Sequence, residues 1–194
     1  MTNNRYNFAL KLFAGLMVAH WLEHIVQAYQ VYVLGFERHH ALGLLGQIYP
    51  WLMHSEWLHF GFAILTLAGL MLLLPGFKGT ARAWWKGALL IQIWHVFEHT
   101  LLFVQAQRGV IFFGARERTS VLQLFFPRIE LHLFYNTLVT IPIVVAMLLY
   151  WRAQKDAVSS AANAPRAAGR ERLGAEAAAR LRSAESLSVN EGAQ

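Results

Sequence analysis

The apolar positions of this chain fall into four long runs, over about 8–35, 48–74, 84–106 and 121–151. At ~1.5 Å per residue, a helix of such length crosses ~30 Å of hydrocarbon. A backbone in lipid must satisfy its own hydrogen bonds, which leaves helices or a closed barrel, and barrel strands would show as alternating segments of about ten residues that are absent here. The pattern therefore predicts an all-α integral membrane protein, a four-transmembrane-helix bundle occupying 1–153. Beyond it, 154–194 is rich in Ala, Arg, Ser and Glu and is interrupted by Pro165, Gly169 and Gly174. That composition cannot bury a core and predicts a basic, mostly disordered cytoplasmic tail, with at most a short helix over 175–187.

The polar positions inside the runs carry the chemistry. The first run holds His20-Trp21-Leu22-Glu23-His24, and the third repeats the pattern as His95-Val96-Phe97-Glu98-His99. The second and fourth runs match as well: Leu58-His59-Phe60 with Glu56 beside it, and Leu131-His132-Leu133 with Glu130 beside it. The chain reads as two copies of one helical hairpin, an arrangement that commonly places a shared site between the halves. On a helix, residues i, i+3 and i+4 share a face, so each His-x-x-Glu-His presents its three polar side chains together.

Carboxylates in a span are costly, roughly 2.5–3.5 kcal/mol each on insertion scales, and Glu23, Glu56, Glu98 and Glu130 together reach the order of 10 kcal/mol. Arg128 is the in-span cation, and one arginine does not balance four glutamates. A bound transition metal contributes ~10 kcal/mol or more. The expected ligand set is His20, Glu23, His24, Glu56, His59, His95, Glu98, His99, Glu130 and His132. The chain has no cysteine, so nitrogen and oxygen must hold the metal. The ligands outnumber what one ion takes, which predicts two transition-metal ions, iron first, with copper, manganese or zinc open. Gln27, Gln92 and Asn136 are placed to orient ligands by hydrogen bonding. The bland alternative is a polar cluster that fixes helix packing.

The nearest physical template is the carboxylate-bridged two-metal site of helical bundles. The clustered histidines also resemble those of membrane fatty-acid desaturases and alkane hydroxylases, which hold two irons with histidine boxes on a helical membrane scaffold. This chain has His-x-x-x-His twice but lacks His-x-x-His-His, and its adjacent pair, His39-His40, lies in the first loop.

The net charge of +6 does not point to nucleic acid, because it is distributed over span ends. Arg5 and Lys11, then Lys78, Arg82 and Lys86, then Arg152 and Lys155 mark one side, against Arg38, Arg108, Arg116 and Arg118 on the other. The positive-inside rule then predicts N-in/C-in topology, as expected for a multi-pass protein of a bacterial cytoplasmic membrane. Such a centre suits a membrane di-metal oxidoreductase or oxygenase acting on O₂ and a lipophilic substrate or quinol, with an electron-donor protein as a candidate partner. The alternatives are a divalent metal-ion or proton transporter, and a membrane haem b electron-transfer protein. Trp51, Trp84, Trp85 and Trp151 are read as interface anchors.

Overall fold

A computed structural model describes the backbone of residues 3–191 and the side chains of 4–161. Helices α1 (Asn3–Tyr32), α2 (Gly43–Ile48), α3 (Pro50–His54), α4 (Trp57–Leu73), α5 (Gly79–Arg108) and α6 (Arg128–Glu191) follow in order, with short 3₁₀ turns at Leu74–Gly76 and Leu122–Leu124. There is no strand among the described residues. Four helical stretches are long and apolar enough to cross a membrane: Asn4–Tyr32, Trp57–Gly76, Gly79–Arg108 and Arg128–Ala161.

Two spans start later than their apolar runs predict. Pro50 opens the short helix α3, and Glu56 takes a left-handed backbone (φ 64°) as the N-cap of α4. The apolar stretch 48–56 is therefore broken, and the second span begins at Trp57. Likewise 121–126 forms a 3₁₀ turn and bend, and α6 starts directly after Pro127. Proline has no N–H to give a preceding turn and favours the start of a helix, so hydropathy extends where the helix cannot.

The chain divides into two compact units, Met1–Leu149 and Tyr150–Gln194. In the second, the backbone stays helical to Glu191, where the sequence predicts a mostly disordered tail. Ala, Arg, Glu and Leu are strong helix formers, so helix is the local preference there even without a core.

In the first unit, each spanning helix buries one stripe at three- and four-residue spacing, and each stripe changes character along its length. On α1 it runs Leu10, Phe13, Met17, then His24, Gln27 and Gln30; on α5, Ala81, Trp85, Ala88, then Gln92, His95, His99 and Gln105. On α4 and α6 the order reverses, His59 before Thr66 and Leu70, His132 before Val139 and Ile143. Successive helices run antiparallel, as the hydrogen bond from Tyr6 Oη near the start of α1 to the Leu73 carbonyl at the end of α4 shows (2.6 Å). The bundle thus has an apolar core toward the Leu74–Gly76 link and a polar one toward the loops. Phe8, Leu12, Leu22, Leu72 and Leu90 face outward, the reverse of a water-soluble helix and the arrangement lipid demands.

Aromatic packing closes the apolar half. Trp85 is fully buried, stacks on Phe77 (ring centroids 4.1 Å) and donates its indole N–H to the Leu70 carbonyl at 2.7 Å. It is not the interface anchor its position in the sequence suggests; Trp84, next to it, faces outward. A Cβ on Gly69 would lie 2.5 Å from the Phe13 ring, so that close approach requires glycine. We predict that Trp85→Ala lowers stability in detergent by about 3–5 kcal/mol, while Trp84→Ala stays within about 0.5 kcal/mol of wild type. Equal losses in the two melting curves would contradict this packing.

Candidate metal centre

The polar half of the bundle gathers the rings of His20 and His24 from α1, His59 from α4, His95 and His99 from α5, and His132 from α6. Ring centroids lie 4.6 Å apart for His20–His24 and His95–His99, 5.5 Å for His24–His59, 5.0 Å for His99–His132 and 5.2 Å for both His24–His132 and His59–His132. All but His20 are buried, and His20 is covered on one face by the ring of Phe62 at 3.8 Å.

Hydrogen bonding fixes where the proton sits on one of these rings. His132 Nδ1 lies 2.7 Å from the Arg128 carbonyl, which only accepts, so Nδ1 carries the proton and Nε2 is left with a bare lone pair. His24 Nδ1 is held by the Gln27 side-chain amide at 2.7 Å. His24 Nε2 faces His20 Nε2 across 3.2 Å, and His95 and His99 face each other through Nε2 at 3.0 Å. Two nitrogens bound at ~2.0–2.1 Å to one ion, at angles between square and tetrahedral, are about 2.9–3.4 Å apart. One donor atom from each of His95, His99 and His132 falls within 4.8 Å of the others. His132 Nε2, His59 Nδ1 and His99 Nδ1 have no hydrogen-bond partner although buried, a cost of roughly 1–3 kcal/mol each unless something else fills the role.

The carboxylates are disposed differently from the expected ligand set. Glu56 is buried and held by Arg128 in a two-point pair of 2.7 and 2.5 Å; its nearer oxygen is 3.9 Å from His59 Nδ1. Glu130 is not in the cluster at all. It pairs with Arg38 at 2.6 and 2.7 Å and accepts from the Tyr32 hydroxyl; the hydrogen bonds that Arg38 donates to Glu130 and to the Tyr32 oxygen hold its guanidinium above the usual pKa. Glu23 accepts the Leu45 N–H at 2.7 Å, and Glu98 accepts the Leu122 N–H at 3.2 Å. Each therefore anchors a short helical turn in the loop that follows its span. Their partners are backbone amides and a loop arginine, which a count of in-span cations overlooks.

A further pair of residues was not anticipated. Gln30 exchanges two hydrogen bonds with the backbone of Gly43, and Gln105 does the same with Thr119. Both glutamines follow their His-x-x-Glu-His motif at the same distance, so extending the comparison of the motifs one more turn and a half finds them. Gly43 has φ +76°, and a Cβ there would meet Glu23 Oε1 at 2.3 Å, so both its backbone and its neighbour require glycine. Gln27 orients His24 as expected. Gln92 instead donates to the Ala63 carbonyl, and Asn136 to the His132 carbonyl, so these two brace helices and leave the rings alone.

Two voids of about 10 Å³ touch the cluster, one among His20, His59, His95 and His99, the other among His95, His99, His132 and Glu98. The Ser120 hydroxyl, also without a partner, lines the second. A third cavity, about 500 Å³, opens at the loop end and reaches His59, His132 and Arg128 at its floor.

No family model, curated protein or solved structure matches the chain. The arrangement has to be read from its own chemistry. A set of buried imidazoles, three of whose ring nitrogens lack a hydrogen-bond partner, could hold a metal ion.

The Glu56–Arg128 pair makes a prediction independent of any metal. Arg128→Met leaves a buried carboxylate unpaired and is expected to cost about 3 kcal/mol, whereas the double variant Glu56→Gln/Arg128→Met recovers most of that loss. Detergent melting curves of the single and double variants test it; a double variant as unstable as the single would contradict the pairing.

Proposed function

We propose that this chain is an integral membrane metalloprotein whose two hairpins hold two transition-metal ions in a cage of imidazoles, and that it acts as an oxidoreductase on O₂ with a lipophilic electron donor such as a quinol. The observation that carries the reading is the pair of Nε2···Nε2 approaches at 3.2 and 3.0 Å, one in each His-x-x-Glu-His motif. The hairpins are repeats in this reading: His20, Glu23, His24 and Gln30 serve the first half as His95, Glu98, His99 and Gln105 serve the second. With Glu130 and Glu23 engaged away from the rings and Glu56 paired to Arg128, the donor set is richer in imidazole than a carboxylate-bridged di-iron site, which suits copper, iron or zinc.

The distribution of Lys and Arg supports a cytoplasmic position for both termini: Arg5, Lys11, Lys78, Arg82, Lys86, Arg152 and Lys155 lie at the terminal side, against Arg38, Arg108, Arg116 and Arg118 at the loop side. The centre then sits in the outer half of the bilayer and opens outward.

The access route separates this reading from its competitors. Leu10, Phe13, Leu70, Phe77 and Trp85 fill the bundle below the cluster, so a conduit for ions or protons lacks a polar way out on that side. Haem would need a slot for a macrocycle between ligand rings, and the voids there are about 10 Å³. For a lipophilic donor there is a direct contact: Tyr135 stacks on His95 (4.6 Å, 14°), and its hydroxyl accepts from the indole N–H of Trp94 at 2.5 Å. Trp94 is 43% exposed on the lipid-facing surface. The metals supply the redox chemistry; the chain holds them, excludes water from below and brings an aromatic edge from the membrane to a ligand.

Two outcomes are expected. Purified protein carries about two metal ions per chain without a Soret band, and Ala at His95, His99 or His132 lowers metal content while retaining fold. Tyr135→Phe leaves metal content unchanged but slows quinol-dependent O₂ consumption about tenfold or more. Wild-type metal content in all three histidine variants would overturn the centre; quinol turnover unchanged in Tyr135→Phe would overturn the route from lipid.

A further inference from the structure

The first external loop carries a second set of metal-binding donors. Glu37, His39 and His40 are exposed, and one donor atom from each lies within 4.8 Å of the others. His39 Nε2 is 3.3 Å and His40 Nδ1 4.0 Å from the same carboxylate oxygen of Glu37, and the two rings are 4.0 Å apart. The loop backbone holds them in a tight turn, the His40 N–H bonding to the Glu37 carbonyl at 2.8 Å, and Gln47 braces the turn from α2 through the His40 carbonyl at 3.0 Å. On their own, three exposed ligands on a loop are unremarkable. Their position connects them to the interior: His39 also lines the cavity of about 500 Å³ that is lined by His54, His59 and His132.

We propose that Glu37, His39 and His40 form a loading site, where a divalent transition-metal cation is captured outside and passed by way of His54 to the buried imidazoles. The proposal rests on the reading of the buried cluster as a metal centre. Two nitrogens and one carboxylate suit borderline first-row ions and leave coordination positions open for exchange, as a transfer site needs and a storage site does not. The buried cluster is closed below by the apolar half of the bundle, so an ion must arrive through this cavity. The cavity's charge does not forbid it: Arg38 is paired with Glu130, Arg128 with Glu56, and Glu117 lines the wall alongside Arg118.

The experiment uses the full chain in detergent, stripped with a chelator and mixed with enough Co²⁺ to fill the buried centre, with the growth of the visible Co²⁺–imidazole bands followed by stopped flow. The Glu37→Gln/His39→Ala/His40→Ala variant is expected to load at least tenfold more slowly and to reach the same final cobalt per chain as wild type. Arg108→Ala, exposed at the same end, is expected to load at the wild-type rate. Equal rates with full final loading would overturn the loading site and leave the buried centre standing. A lower final occupancy at an unchanged rate would also overturn it, by assigning these residues to storage. No cobalt uptake by wild type would instead overturn the metal centre, and the loading site with it.

Discussion

Every polar group placed in the hydrocarbon layer must find a partner inside the protein, because lipid offers none. This constraint orders the loop half of the bundle. Four buried or half-buried carboxylates each meet a cation or a backbone amide: Glu56 meets Arg128, Glu130 meets Arg38, Glu23 and Glu98 meet the amides of Leu45 and Leu122. The imidazoles are the residue of that accounting. His132 spends its proton on the Arg128 carbonyl, and its Nε2 is left buried without a hydrogen-bond partner, as are His59 Nδ1 and His99 Nδ1. These are the nitrogens that the proposed metal ions would engage.

The scaffold follows from the same demand. Because Glu23 and Glu98 reach the loops, the loops are tied to the spans, and Gln30 and Gln105 add a second tie two turns along. The loops in turn bring Arg38 over Glu130 and shape the outer cavity. Glu56, at φ 64°, keeps a backbone conformation that non-glycine residues rarely adopt, and its side chain makes a two-point pair with Arg128. The opposite half needs no such devices: Trp85, Phe77 and Phe13 pack as an ordinary apolar core.

The helices were legible in the sequence because hydropathy in lipid is a strong signal, and so was the convergence of His20, His24, His59, His95, His99 and His132, which follows from helical spacing repeated in two halves. What sequence could not reveal was the partner of each carboxylate. Arg38 and the amides of Leu45 and Leu122 lie in loops whose path no periodicity encodes, so Glu130 read as a ligand when it is an ion-pair partner. The starts of the second and fourth spans were missed because apolar content continues through Pro50 and Pro127 while the helix does not. Trp85 was misread because tryptophan at a span end is commonly interfacial; only its i, i+3 and i+4 neighbours on the buried stripe mark it as core. Gln30 and Gln105 were recoverable by carrying the motif comparison further.

The central claim is that the imidazole lone pairs bind metal. X-ray absorption at the metal edge of the purified protein tests it most directly, since imidazole rings give outer-shell scattering that carboxylates do not. Nitrogen ligation at about 2.0–2.1 Å is expected, with scattering from about three imidazoles per ion. A bound metal with an oxygen-dominated shell and no imidazole scattering, or no metal to measure, would contradict it.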